Sequence, residues 1–253
     1  MADGPLVNFE LYYTSGGLVQ VSNDVRRKIL RELQDADLSL TDLSHIVGKA
    51  QSTLSVHLEK MVDDGLITVH DDPQDSRRKI YSLVSLNFAS SKPPSDESMD
   101  ILLSNLAGVV RAPENVRDAL PALLFLGLDS LGLSVGPMAA MLGGLHGTAT
   151  DGTLAGATLE ETVDNARRYI SKIGIGEFSV FSLKPLTFIV KSGCPMTEAS
   201  SKSLGSYMVG FMVKILKDST GRNYIVTSSE VFGSQKEYFR FVMEPTDRKP
   251  VKL

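Results

Sequence analysis

Apolar residues recur at helical spacing through the first sixty positions and then give way to short runs of β-formers. Val25, Ile29 and Leu33 fall at i, i+4 and i+8, which predicts an amphipathic helix from about Asn23 to Gln34 with Ser22 as its cap. A second, short helix follows a cap at Ser39 or Thr41, with Leu40, Leu43, Ile46 and Val47 inward and Gly48 in the left-handed position that ends it. Leu54, Leu58 and Met61 form the buried stripe of a third helix over about Gln51 to Asp64, stopped at Gly65. Leu66–Val69 and Lys79–Val84 read as two strands around a polar loop, Asp71 to Arg78, that contains Pro73. Upstream, Glu10–Tyr13 is either a short strand or part of an arm.

Beyond position 98 the pattern mixes helices and strands. Met99–Val110 and Val116–Leu131 predict helices, and Val135–Gly147 is apolar with closely spaced glycines. Thr158 caps an amphipathic helix with Leu159, Val163, Ala166, Ile170 and Ile173 on one side. Phe178–Leu183 and Leu186–Lys191 predict paired strands around Lys184-Pro185. Glu198–Lys217 is a long helix ending near Gly221, and Tyr224–Val231 with Tyr238–Glu244 is a closing antiparallel pair. Segregated helices and strands make this an α+β domain. Asn87–Ser98, NFASSKPPSDES, is rich in Ser and Pro and reads as a linker. The expected organisation is a first domain over 1–88, a linker over 89–98 and a second domain over 99–253.

Composition narrows the classes. The 253 residues are 42% hydrophobic, enough for two modest cores. No run approaches ~18 apolar residues, so no spanning helix or membrane partner is expected. Met1–Glu10 lacks a basic n-region, and a single cysteine, Cys194, excludes an intrachain disulfide and an all-cysteine metal site. Both features suit a reducing cytoplasm. The net charge is −4, and residues 1–88 carry nine Lys/Arg against thirteen Asp/Glu, so bulk charge does not announce a nucleic-acid partner. What matters is where the cations sit.

Helix, helix, turn, helix and β-hairpin is the order of a winged helix-turn-helix. A reading helix must anchor one face in the core and offer short polar side chains to a major groove. On a wheel of 100° per residue, Leu58 and Met61 lie within about 40° of Leu54. Ser52, Val56 and Glu59 lie opposite, flanked by Thr53, Ser55 and Lys60, while Lys49 and Gln51 sit where helix amides meet a phosphate. A solvated helix face has the same pattern. His57 falls on the boundary, suited either to packing its ring or to touching DNA. Arg77, Arg78 and Lys79 stand at the hairpin tip, either as a wing along the phosphate backbone or as a basic turn balanced by Asp71, Asp72 and Asp75. Strand alternation lets at most two of these cations share a side. Arg26, Arg27 and Lys28 are either further phosphate contacts or the solvent face of the first helix.

The run SLTDLSHIVGKAQSTLSVHLEKMVDDGLI followed by DPQDSRRKIYSL resembles the ArsR-type winged helix-turn-helix family over about residues 20–86. The resemblance implies a homodimer on double-stranded DNA, reading a pseudo-palindrome. It does not bring metal sensing, because the family's cysteine motif is absent from the third helix. GSYMVGFMVKILKDSTGRNYIVTSSEVFGSQKEYFRFVME resembles the 4-vinyl-reductase-type sensor domain, whose fold is shared with TRAPP transport subunits. Together the two modules are similar to methanogen redox regulators. This implies a sensing or dimerising domain that takes a small apolar ligand or reports redox state. The family's cysteines of the closing hairpin are replaced here at Val231 and Phe239, so only Cys194 remains for redox or ligand chemistry; equally it is a small packed residue in the Gly193-Cys194-Pro195 turn.

LGGLHGTATDG is neither a phosphate-binding loop nor a dinucleotide fingerprint. Its glycines fit close helix packing or a wall beside an apolar ligand, and His146 has no evident carboxylate or cysteine partner in the sequence. No nucleophile with a base and no cofactor motif stands out, so no catalytic or metal residue and no certain cofactor is assigned. The expected function is a transcriptional regulator with a small-molecule effector. The alternatives are a 4-vinyl-reductase-like enzyme or cofactor-binding protein, and an interaction module with a degenerate helix-turn-helix.

Overall fold

The computed structural model describes residues 8–75 and 77–247. The chain divides after Ser91 into two compact units. Met1–Val7, Ser76 of the expected polar loop and the tail from Arg248 lie outside the described residues.

The first unit opens with a hairpin, β1 (Glu10–Thr14) and β2 (Gly17–Val21), so Glu10–Tyr13 is a strand. Three helices follow: α1 (Asp24–Asp35), α2 (Leu40–Val47) and α3 (Gln51–Asp63), with the short β3 (Leu38–Ser39) before α2. The cap of α1 is Asn23, one residue later than expected, because its side chain accepts from the Arg26 amide. Ser39 caps α2 in a reciprocal box with Asp42, and Gly48 ends that helix at φ 73°. Of the four α2 residues expected inward, Leu43 is buried and Ile46 is exposed. The two-turn helix presents too narrow a face to bury all four.

The wing strands are β4 (Ile67–Asp71) and β5 (Lys79–Leu83), and β3-β5-β4 form a sheet. Tyr12, Ile29, Leu30, Leu33, Leu43, Leu54, Leu58 and Met61 make one core. Next to it the carboxylate of Glu10 is buried, accepts from the Tyr12 hydroxyl at 2.8 Å and pairs with Arg31.

The expected linker is a correction. Its first residues belong to β6 (Leu86–Ser91), antiparallel to β1, with Ala89 buried. A partner strand satisfies the backbone there, which composition cannot reveal. Only Lys92–Ser95 lies between β6 and the next helix, α4 (Asp96–Arg111).

The second unit continues with α5 (Val116–Ser130), β7 (Leu133–Ser134), α6 (Gly136–Ala149) and α7 (Leu159–Ile173). A strand pair, β8 (Glu177–Leu183) and β9 (Leu186–Lys191), precedes the 23-residue α8 (Glu198–Thr220). The chain then closes with β10 (Asn223–Phe232) and β11 (Tyr238–Thr246). The sheet order is β10-β11-β9-β8, all antiparallel. Val231 lies directly opposite Phe239 in it. Phe188, Phe241, Met208, Phe211, Val163 and Ile170 belong to the core between the sheet and α7 and α8. The fold is α+β.

Two features lock the second unit. A Cβ on Gly143 would stand 1.9 Å from the Tyr207 carbonyl oxygen, and one on Gly210 1.9 Å from that of Ala140, so α6 and α8 touch backbone to backbone. Asp129 is buried at the end of α5. It pairs with Lys92, accepts from the Ser98 hydroxyl, and accepts from Thr197, the cap of α8, at 2.9 Å. One carboxylate thus ties three element ends, and burial demands that many partners.

Candidate nucleic-acid interface

The turn Gly48–Ala50 sets α3 against α2, and Leu54, Leu58 and Met61 pin α3 to the core. Ser52, Thr53, Glu59 and Lys60 are exposed, and Val56 is 67% exposed. Ser55 is half-buried, its hydroxyl donating to the Gln51 carbonyl at 3.0 Å. No side chain caps α3. The Ala50 carbonyl takes the amides of Thr53 and Leu54, and those of Gln51 and Ser52 have no partner among the described residues. An uncapped, exposed helix start is a ready place for a phosphate. Gln51 reaches back to the Thr41 hydroxyl at 3.3 Å, so its amide is already oriented beside that start.

His57 is half-buried, and its Nδ1 is buried with no hydrogen-bond partner among the described residues. Burial first, then the Arg26 guanidinium, holds its pKa below the ordinary histidine value. The ring therefore packs as a neutral group, while the exposed side chains around it make the outward face.

The cations divide sharply. Arg26 pairs with Asp64 at 3.7 Å, Arg27 with Asp24, and Arg31 with Glu10. Lys28 donates to the Ile46 carbonyl at 2.7 Å. On the wing, Arg78 donates to Asp42 at 2.7 Å and to Ser39 at 3.1 Å, with Asp72 at 3.8 Å. The Ser39 side chain, the Ser39 amide and then Arg78 hold the Asp42 carboxyl below its ordinary pKa. Lys79 pairs across the hairpin with Asp71. Among the described residues of the first unit, Lys49, Lys60 and Arg77 are the three cations whose charged ends have no ion pair or hydrogen bond. They stand in the turn before α3, on α3 and at the wing tip. The helix-one cations, open as phosphate contacts from sequence, are engaged inside the unit.

The second unit holds a cleft of about 570 Å³ lined by Arg117, Asp118, Glu177, Lys191, Cys194 and Glu237 among others. Four of the charged groups there pair with one another, Arg117 with Asp118 and Lys191 with Glu177, while the Glu237 carboxylate accepts from the Gln235 amide at 3.0 Å. Cys194 is half-buried, receives the Asn105 amide at 3.4 Å, and burial pushes its thiol up to about 11. Such a thiol is a weak nucleophile at neutral pH. Sequence reading missed one cluster entirely. His146 Nδ1 meets the Tyr207 hydroxyl at 2.5 Å and Nε2 meets that of Tyr169 at 2.6 Å, the ring packing against Phe211. The two tyrosines lie on α8 and α7, far apart in sequence, so no local spacing signals them. Among the described residues no group of His, Cys, Asp and Glu is placed to hold a metal, and no helix is long and apolar enough to cross a membrane.

Three helices with a tight turn before an exposed third, then a two-stranded wing, define a winged helix-turn-helix. Residues 23–69 match the model of the family described as bacterial regulatory protein, arsR family, which supports a DNA-binding transcriptional regulator. No curated protein and no solved structure matches the chain.

Proposed function

We propose that the chain is a homodimeric, cytoplasmic transcriptional regulator of the ArsR type that sets α3 in the major groove and the wing tip on the phosphate backbone. The carrying observation is the distribution of cations: among the described residues of the first unit, those whose charged ends have no ion pair or hydrogen bond are Lys49 just before the uncapped start of α3, Lys60 in its last turn and Arg77 at the wing tip. The sign of the potential at one face depends on which charges lie there, not on the total of the unit, and ion pairing cancels the other cations without removing these three. In this proposal Gln51, Ser52, Thr53, Ser55 and Val56 face base edges or the adjoining backbone. His57 supports that face from within. Arg78 and Lys79 hold the wing, adding charge near phosphate without being free to move.

The second unit supplies control in this reading, by dimerising and by taking a small effector. Its charged cleft favours a small polar molecule over the apolar ligand expected from sequence, and the raised Cys194 pKa disfavours a thiol switch. Genomic fragments recovered on the purified chain at low salt, with and without cell extract, test both halves. Recovery of one enriched sequence, altered by extract, is the expected result. No retention of any duplex at ~50 mM salt refutes DNA binding.

A further inference from the structure

Helices α4 and α5 leave a broad apolar surface uncovered. One side of α4 faces its own unit: Ser98 donates to Asp129, Leu102 lies beside Gly127, and Asn105 donates to the Pro195 carbonyl at 2.8 Å. The other side carries Leu103, Leu106 and Val110, which are 56%, 41% and 79% exposed. On α5, packed against α4, Val116, Leu120 and Leu124 are 43–61% exposed, and Leu131 just beyond it is 68% exposed. From Ile101 to Val110 there is no charged residue. Seven such side chains expose apolar area above the ~300–600 Å² patch of an ordinary monomer and close to the ~800 Å² each partner buries in a standard interface.

We infer that this face docks a second copy of the chain through antiparallel, two-fold pairing of α4, a placement that rests on the dimeric reading above. The charge pattern selects that occupant. α4 begins with Asp96, Glu97 and Asp100 and ends with Arg111. On a helical wheel Asp96, Asp100 and Arg111 lie within about 80° of Leu103, all along the same edge of the stripe. Antiparallel pairing sets the acidic start of each α4 beside Arg111 of the other, whereas parallel pairing stacks like charges. The surface is therefore complementary to itself, as a two-fold interface requires. A lipid surface fits worse, since an apolar stripe that binds anionic bilayers is flanked by cations, and here acids outnumber them.

Sedimentation equilibrium of the full chain at about 10 µM is expected to give twice the monomer mass. Leu103→Glu with Leu106→Glu should give a monomer with unchanged far-ultraviolet circular dichroism. Arg111→Glu should weaken association roughly fivefold or more, and Asp100→Arg added to it should restore association, an outcome misfolding does not produce. A monomeric wild type, a dimer indifferent to the leucine substitutions, or binding of the stripe to phosphatidylserine vesicles in place of self-association overturns the inference. A dimer sensitive to these changes in a chain that retains no DNA keeps the surface and removes the regulator reading. DNA retention by variants of unchanged mass does the reverse.

Discussion

Arg77 and Arg78 are neighbours on one wing, yet their replacement by alanine should do different things. Arg77 is exposed, and its guanidinium has no ion pair among the described residues; only its amide is engaged, by Asp75 at 3.1 Å. Removing it costs the fold almost nothing. If it meets one phosphate, the slope of log K against log salt becomes shallower by ~0.9. Between 50 and 200 mM salt that is a difference of about 3.5-fold in how steeply affinity falls. Arg78 instead joins the wing to the Ser39–Asp42 cap of α2. It is about half exposed, so screening limits its loss to ~0.5–1 kcal/mol of stability. Its charge is shared with Asp42 and Asp72, so its removal should change the salt slope less. Fluorescence anisotropy on a generic duplex of ~30 bp across that salt range, with urea unfolding of the same proteins, separates the two effects. An unchanged slope in Arg77→Ala, or a larger slope change in Arg78→Ala without loss of stability, would refute the assignment of free and engaged cations.

Gly143→Ala should destabilise the second unit by ~1–3 kcal/mol, since the new methyl meets the Tyr207 carbonyl; Gly144→Ala, whose nearest atom is 3.9 Å away, should instead stabilise it by ~0.5–1 kcal/mol. Thermal melts that move in the same direction for both would contradict the backbone contact of α6 and α8. The pKa values of His57 and His146 are both lowered, chiefly by burial. The unfolded chain then binds more protons below its own pKa, so stability is complete above about pH 6.5 and is lost as pH falls through the folded values. The urea midpoint should decline on acidification from pH 6.5 to 5, less so in His57→Gln; a rise over that interval would show the sign to be wrong. Cys194, with its thiol near 11, should react with iodoacetamide at pH 8 on the order of 10²-fold more slowly than a free cysteine. Labelling at the free-thiol rate would reopen the redox role.

Much of the fold is legible along the chain because its signals are local. The stripe Leu54, Leu58, Met61, the left-handed Gly48 and the capped helix after Thr158 follow from periodicity and backbone sterics over a single element. The same local chemistry places Gln51–Lys60 on a helix, Lys49 in the turn before it and Arg77–Lys79 at a hairpin tip. What the sequence could not determine depends on partners distant in the chain. Ala89 looks like linker until β1 pairs with it, and His146 looks idle until α7 and α8 bring it two tyrosines. Nor does charge counting show which cations are free. Asp42, Asp64 and Asp71 engage Arg78, Arg26 and Lys79 only once helices and hairpin have packed. An ion pair needs two groups within a few ångströms, and that distance is a property of the tertiary structure.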